Sequence, residues 1–259
     1  MLARYSEGLR LATRHGSGSG ILLEYAYENV PQGSGALGRW IDRTFLHLAR
    51  CDTMRQQVDR TRELIAGLVA ERRAQGRKTV ILDVAAGTAR YLREVARTTE
   101  RGQLVIRCLD RNPHEVMLGR QLVNREALSE FLFEVGDATD DASYLMSEDP
   151  DIVLAVDLFP YLHNDCDVTQ VMGHAFAHLA DGGIFVCTDS GPHDTGSATW
   201  GGNGFQLEPK VRDEVRLERW LAAAGFVDVT RTSLGEGRTA LVGKKPLASR
   251  TPQRAAASA

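Results

Sequence analysis

The chain has 259 residues, 43% hydrophobic and 25% charged, with a formal net charge of −3. This composition suits one large globular domain with an appendage. The slight acidic excess argues against nucleic acid as the main partner. With no run of about 18 apolar residues, no membrane span is expected.

The first 20 residues lack the apolar core of a signal peptide. Residues 15–20 are a glycine-serine stretch, 21–27 are apolar and aromatic, and 31–35 are again breakers. From Ala36 a helical period sets in. Leu37, Trp40, Ile41, Phe45 and Leu48 form one stripe, and Met54, Val58, Thr61, Ile65 and Leu68 form a second, which Gly76 ends. Both stripes are expected to face a core, Trp40 included. Residues 1–76 thus read as a helical N-terminal cap.

A regular alternation follows. Strands are predicted at 79–84, 104–109, 131–135, 152–156 and 183–187. Helices are predicted from about Thr88, from Pro113 (a favoured first helical position) and through 168–179. Strands alternating with helices imply a parallel sheet covered on both faces. A helix at 213–224 then precedes two strands, 226–234 and 238–243, joined through Gly235 and Gly237 as an antiparallel hairpin. Residues 77–245 form one α/β domain. Residues 246–259, rich in Ala, Ser, Arg and Pro, read as disordered. The four cysteines, Cys51, Cys108, Cys166 and Cys187, make no CxxC pair and no zinc signature. Cys108 and Cys187 fall in predicted strands as small core residues, which fits a reducing, cytoplasmic compartment.

The candidate chemistry lies in the turns after the strands. The first turn, Asp83, Val84, Ala85, Ala86, Gly87, Thr88, Ala89, is a degenerate glycine loop. A diphosphate loop uses glycines to close around phosphate at a helix N-terminus. Here alanines stand in two such places and an acid precedes the loop, which suits a ligand with cationic parts and no phosphate. Asp110 follows strand two, with Arg111 beside it, placed to accept hydrogen bonds from ribose hydroxyls. Gly136, Asp137 and Ala138 follow strand three, and Asp157 follows strand four. Each aspartate alone is equally well a helix N-cap. Four in register are not readily explained that way.

These motifs, with the segments Val135-Gly-Asp-Ala138 and Leu179-Ala-Asp-Gly-Gly-Ile-Phe185, resemble the class I S-adenosylmethionine-dependent methyltransferase superfamily. Within it the chain is similar to a bacterial group of methyltransferases, through residues 20–31, 37–43 and 157–163. The resemblance implies a Rossmann-like, mostly parallel seven-stranded sheet ending in an antiparallel hairpin. It implies S-adenosyl-L-methionine as cofactor, its methionine end held by Asp83 and Gly87, its ribose by Asp110 and its adenine by Asp137, with Ala85, Ala86, Arg111, Gly136, Ala138 and Asp157 completing the cofactor-binding set. Ala85 and Ala89 replace common glycines. A small-molecule acceptor methylated on oxygen or nitrogen is expected, with no nucleic-acid partner and the oligomeric state open. His163, Tyr161 and His193 are the candidate catalytic residues, His163 or His193 as base and Tyr161 as pocket wall. The segment Leu158-Phe-Pro-Tyr161 matches only part of the tetrad of amino-methylating enzymes and is discounted. Residues 190–210, with Trp200 and Phe205, read as a binding loop that Tyr25, Tyr27 and Trp40 could help to roof over the acceptor. His174 and His178 are spaced like a zinc pair but lack a third ligand, so they read as a polar helix face. The rival readings are a non-catalytic S-adenosylmethionine-binding protein and a nicotinamide-dependent oxidoreductase.

Overall fold

The strands β1 (Thr79–Asp83), β2 (Leu104–Asp110), β3 (Phe131–Val135), β4 (Ile152–Ala155), β5 (Ile184–Asp189), β6 (Val227–Gly235) and β7 (Arg238–Lys244) form a single seven-stranded sheet. This is a computed structural model, and it describes residues 2–16, 19–189, 210, 212–235 and 237–248. The strand order is β3-β2-β1-β4-β5-β7-β6. The first five strands run parallel, and β7 is antiparallel to both β5 and β6. The expected Rossmann-like sheet with its closing hairpin is therefore present.

The central strands are apolar on both sides because helices cover both faces. Ile81, Ile106, Cys108, Leu154 and Val186 point to one side. There they meet Val58, Ile65 and Val69 of α4 (Ala49–Ala74) and Leu92 and Val95 of α5 (Arg90–Thr98). Leu82, Val153, Ala155, Phe185 and Cys187 point to the other. That side is closed by α7 (Asp165–His178) and α8 (Glu214–Ala224), through Val168, Met172, Leu217 and Leu221. Helix α6 (Pro113–Arg125) lies beside β3 and fits there because Gly119 has no Cβ; one would stand 2.4 Å from the Phe133 ring.

The N-terminal part adds α1 (Glu7–His15), α2 (Gly20–Glu28) and α3 (Gly35–Leu46), with a small core of Ala12, Leu22, Tyr25, Phe45 and Leu46. Here one expectation is corrected. Helix α3 turns Gly38, Asp42, Phe45 and Leu46 inward, whereas Leu37 and Trp40 are 58% and 63% exposed. Leu48 is exposed as well, just beyond the helix. The rotation is set by polar groups. The fully buried Asp42 carboxylate accepts from Ser6 Oγ and Tyr25 Oη, both at 2.5 Å, and from the amides of Glu7, Gly8 and Gln32, each at 3.2 Å. Gly38 lies against the Tyr5 carbonyl, where a Cβ would come within 2.3 Å. Turning the apolar stripe inward would regain about 1.5–3 kcal/mol per side chain. It would also strip that many donors from a buried carboxylate, which costs more.

Candidate cofactor and acceptor site

The carboxyl ends of β1 and β4 lie side by side, and the chain leaves them in opposite directions, to β2 and to β5. Such a reversal opens a crevice at the strand ends, and the predicted turns line it. Gly87 sits at φ +53, and Ala89 at φ +51. The second is a position where alanine pays a cost that glycine avoids. The turn is tight all the same: Ala89 N donates to the Ala86 carbonyl at 2.7 Å.

Asp83, at the end of β1, is fully buried and accepts from Tyr91 Oη at 2.6 Å and from Ala85 N at 3.3 Å. Burial pushes its carboxyl up to about 7. Asp110 accepts from Gly87 N at 2.9 Å and from Asn112 N at 2.8 Å, so it ties the second turn to the first, and burial raises it too. Gly136 N donates to the Asp110 carbonyl at 3.2 Å, which brings the third turn alongside. Asp83, Ala85, Ala86, Gly87, Asp110 and Gly136 are therefore one constellation, with Ala138 buried behind it. Asp137 and Arg111 are exposed at its edge. The Asp137 carboxylate, lowered chiefly by the Thr139 amide, accepts from that amide at 2.9 Å and from Thr139 Oγ1 at 2.8 Å.

The capping alternative is answered by the helices themselves. The N-caps of α5, α6 and α7 are Ala89, Asn112 and Asn164. Not one of the four aspartates caps the helix that follows it.

Asp157 stands apart, on the β4 side, at φ +53. Gln57 Nε2 of α4 donates to its carboxylate, as do Thr188 Oγ1 at 3.2 Å and Arg238 Nη1 at 2.9 Å. Three elements, α4, β5 and β7, thus converge on one side chain. Tyr161 is half-buried in the 3-10 turn Phe159–Tyr161, and the His163 ring is exposed just beyond it. His193, Trp200 and Phe205 lie outside the described residues. Tyr25 is buried in the cap, bonded to Asp42, and Tyr27 is engaged with Asp59 at 3.0 Å and with the Arg90 guanidinium. His174 and His178 share the Asp141 carboxylate at 3.0 and 2.8 Å, so an acid does stand between them. Among the described residues no three such side chains are arranged to hold a metal ion. A groove of about 630 Å³ along Leu104, Arg107, Phe131, Leu132 and Met146 lies on the outer strands, away from this rim.

Sequence reading missed the residues that join the cap to the first turn. Glu24 of α2, 5% exposed, pairs with Arg93 at 2.5 Å and Arg90 at 2.8 Å, and accepts from Thr88 Oγ1 at 3.3 Å. Glu115 of α6, 3% exposed, accepts from the Ile21 amide at 3.2 Å through Oε1, while its Oε2 is buried without a hydrogen-bond partner. Burial pushes this carboxyl up to about 7. In the sequence Glu115 looks like an ordinary acid in the first turn of a helix, favoured there by the helix dipole. Nothing local marks it.

Residues 1–196 match the model of a family described as "Putative methyltransferase". The chain belongs to this methyltransferase family. It is 29% identical over 242 residues to protein YnbC of Escherichia coli (strain K12), covering 89% of this chain and 40% of that one. The chain thus spans well under half the length of that relative. In fold it is similar to an O-methyltransferase family protein from Burkholderia thailandensis, with TM-score 0.57, 18% identity and 80% and 63% of the two chains covered. It is also similar to a protein of Bordetella parapertussis described as a possible exported protein, with TM-score 0.60, 15% identity and coverage of 95% and 94%. A third is the magnesium protoporphyrin IX methyltransferase of Synechocystis PCC 6803 with bound S-adenosylhomocysteine, with TM-score 0.56, 13% identity and coverage of 77% and 88%. These likenesses establish the class I methyltransferase fold. No helix among the described residues is long and apolar enough to cross a membrane.

Proposed function

We propose that this family member is an S-adenosylmethionine-dependent methyltransferase acting on an oxygen or nitrogen of a small molecule. The supporting observation is the charge balance of the first turn. Asp83, Asp110 and Glu115 are all raised mainly by burial. The nearby buried guanidinium of Arg93 is already paired with Glu24 and Glu126. A pocket of carboxyls short of cations repels diphosphate and accommodates a ligand with an ammonium and a sulfonium. The fold neighbour that carries S-adenosylhomocysteine supports the same choice.

In this reading Asp83, Ala85, Ala86 and Gly87 hold the amino-acid end, Asp110 the ribose hydroxyls, and Gly136, Asp137 and Ala138 the adenine edge, with Arg111 flanking. Asp157 completes the cofactor-binding set on the β4 side, held in place by its three donors. When bound, the cofactor supplies an electrophilic methyl group on sulfur. The chain's task is to hold the acceptor in line with that methyl and to take the proton the acceptor loses. Tyr161 lines the approach, and His163 or His193 receives the proton. Residues 1–76 act as cap and 77–245 as transferase body, with α4 shared between them because its apolar side packs on the sheet. The buried Cys51 and Cys108, neither of them in a disulfide, support a reducing, cytoplasmic setting.

Calorimetric titration with S-adenosylhomocysteine and with NADH tests the cofactor. Binding of the first alone is expected, and binding of NADH alone overturns the reading. Transfer of labelled methyl to protein or RNA, with none to small molecules, overturns the acceptor class.

A further inference from the structure

The N-terminus of α2 rests directly on the first turn. A Cβ on Gly20 would stand 3.1 Å from Gly87 Cα, 3.0 Å from Thr88 N and 2.7 Å from Glu115 Oε2. Only glycine allows that approach without a shift. Glu115 lies beneath the contact. Oε1 receives the Ile21 amide, the Gly20 amide lends the carboxyl further support, and Oε2, buried in the same wedge, makes no hydrogen bond. A buried acceptor left unmet is costly, and a fully satisfied network is the usual arrangement. The groups facing Glu115 do not meet that need. Asp110 and Glu24 are acids that oppose its charge, and Arg90 and Arg93 are turned to Glu24.

Building on the cofactor reading above, we propose that Glu115 is a two-sided positioning residue: Oε1 docks the cap helix on the Gly87 turn, and Oε2 accepts the ammonium of the cofactor's amino-acid end. Cofactor binding and cap docking then reinforce each other, because one carboxyl serves both. A ligand that satisfies Oε2 favours the arrangement in which Oε1 holds α2. By linkage, a docked α2 raises affinity for that ligand.

The test uses the full chain, with calorimetry and hydrogen exchange read together. In the wild type, S-adenosylhomocysteine is expected to slow exchange of the α2 amides. Glu115→Gln, which keeps the shape but cannot accept on both sides, is expected to weaken binding about tenfold or more and to abolish the α2 protection. Exchange in β1 and β4 should stay as in the wild type. 5′-Methylthioadenosine, which lacks the amino-acid end, should bind wild type and E115Q equally, a result that a merely structural role for Glu115 does not give. Gly20→Ala, which pushes α2 off the turn, should lose both effects and serves if E115Q does not fold. A folded E115Q with wild-type affinity, or α2 exchange indifferent to ligand in the wild type, overturns the inference alone. A wild type that ignores S-adenosylhomocysteine overturns it together with the cofactor reading.

Discussion

Asp110 does two things with one carboxylate. It fastens the Gly87 amide and the Asn112 amide, and it stands where ribose hydroxyls would arrive. Asp110→Ala is therefore expected to weaken S-adenosylhomocysteine binding by roughly 10- to 100-fold, read by calorimetry, the scale of hydrogen bonds to a charged group. Near-wild-type affinity would remove Asp110 from the site. The buried acids also make a pH prediction. Asp83 and Glu115 rise from 3.8 and 4.5 to about 7 on folding, so each binds its proton more tightly in the folded state. The stability they contribute is complete below their unfolded values and is lost as the pH rises through about 7. A cation favours the ionised forms, so affinity for S-adenosylmethionine should climb between about pH 6 and 8 while the ligand-free melting temperature drifts down. Affinity that is flat or falling over that window counts against a cationic ligand.

At the level of elements, α2 is fastened to the body by buried ion pairs as well as by apolar packing. Glu24 leaves α2 to reach Arg93, which is fully buried in α5 and also pairs with Glu126. Glu24→Ala would leave a buried guanidinium half-compensated, at a cost of about 3–5 kcal/mol in denaturant unfolding. A change below about 1 kcal/mol would mean the pair is solvated in solution. Helix α3 offers a sharper comparison. Its period alone makes Trp40 and Phe45 equal members of one stripe, but Phe45 is buried and Trp40 is not. Phe45→Ala should cost about 3–5 kcal/mol. Trp40→Ala should stay within about 0.5 kcal/mol, as for exposed sites. Equal losses would show that the helix is rotated otherwise.

The whole molecule is a sheet whose strand reversal creates the crevice, closed at one end by α2. A ligand that binds only this folded arrangement stabilises all of it. S-adenosylhomocysteine at a hundredfold excess over its Kd should add about 2.7 kcal/mol to unfolding, and NADH should add nothing. A melting temperature unmoved by either would leave the crevice without the proposed ligand. Much of this architecture was legible beforehand. β2 and β3 appear where short apolar runs predicted them, and the hairpin around Gly235 and Gly237 closes the sheet. The aspartates were legible from their position after strands. Their supports were not: Gln57 meets Asp157 across 100 residues, and Ile21 meets Glu115 across 94.

The order of residues alone determined the strands, most of the helices and the acids on the rim. Those follow from local backbone preference and from periodicity, and both act within a few residues. Tertiary structure alone decided which side of α3 is buried, which carboxyls lose water and which helix seals the first turn. These outcomes depend on desolvation and on donors far away in the chain. A buried Asp42 with five donors outweighs a stripe of exposed leucines and a tryptophan, and no local pattern records where those donors will come from.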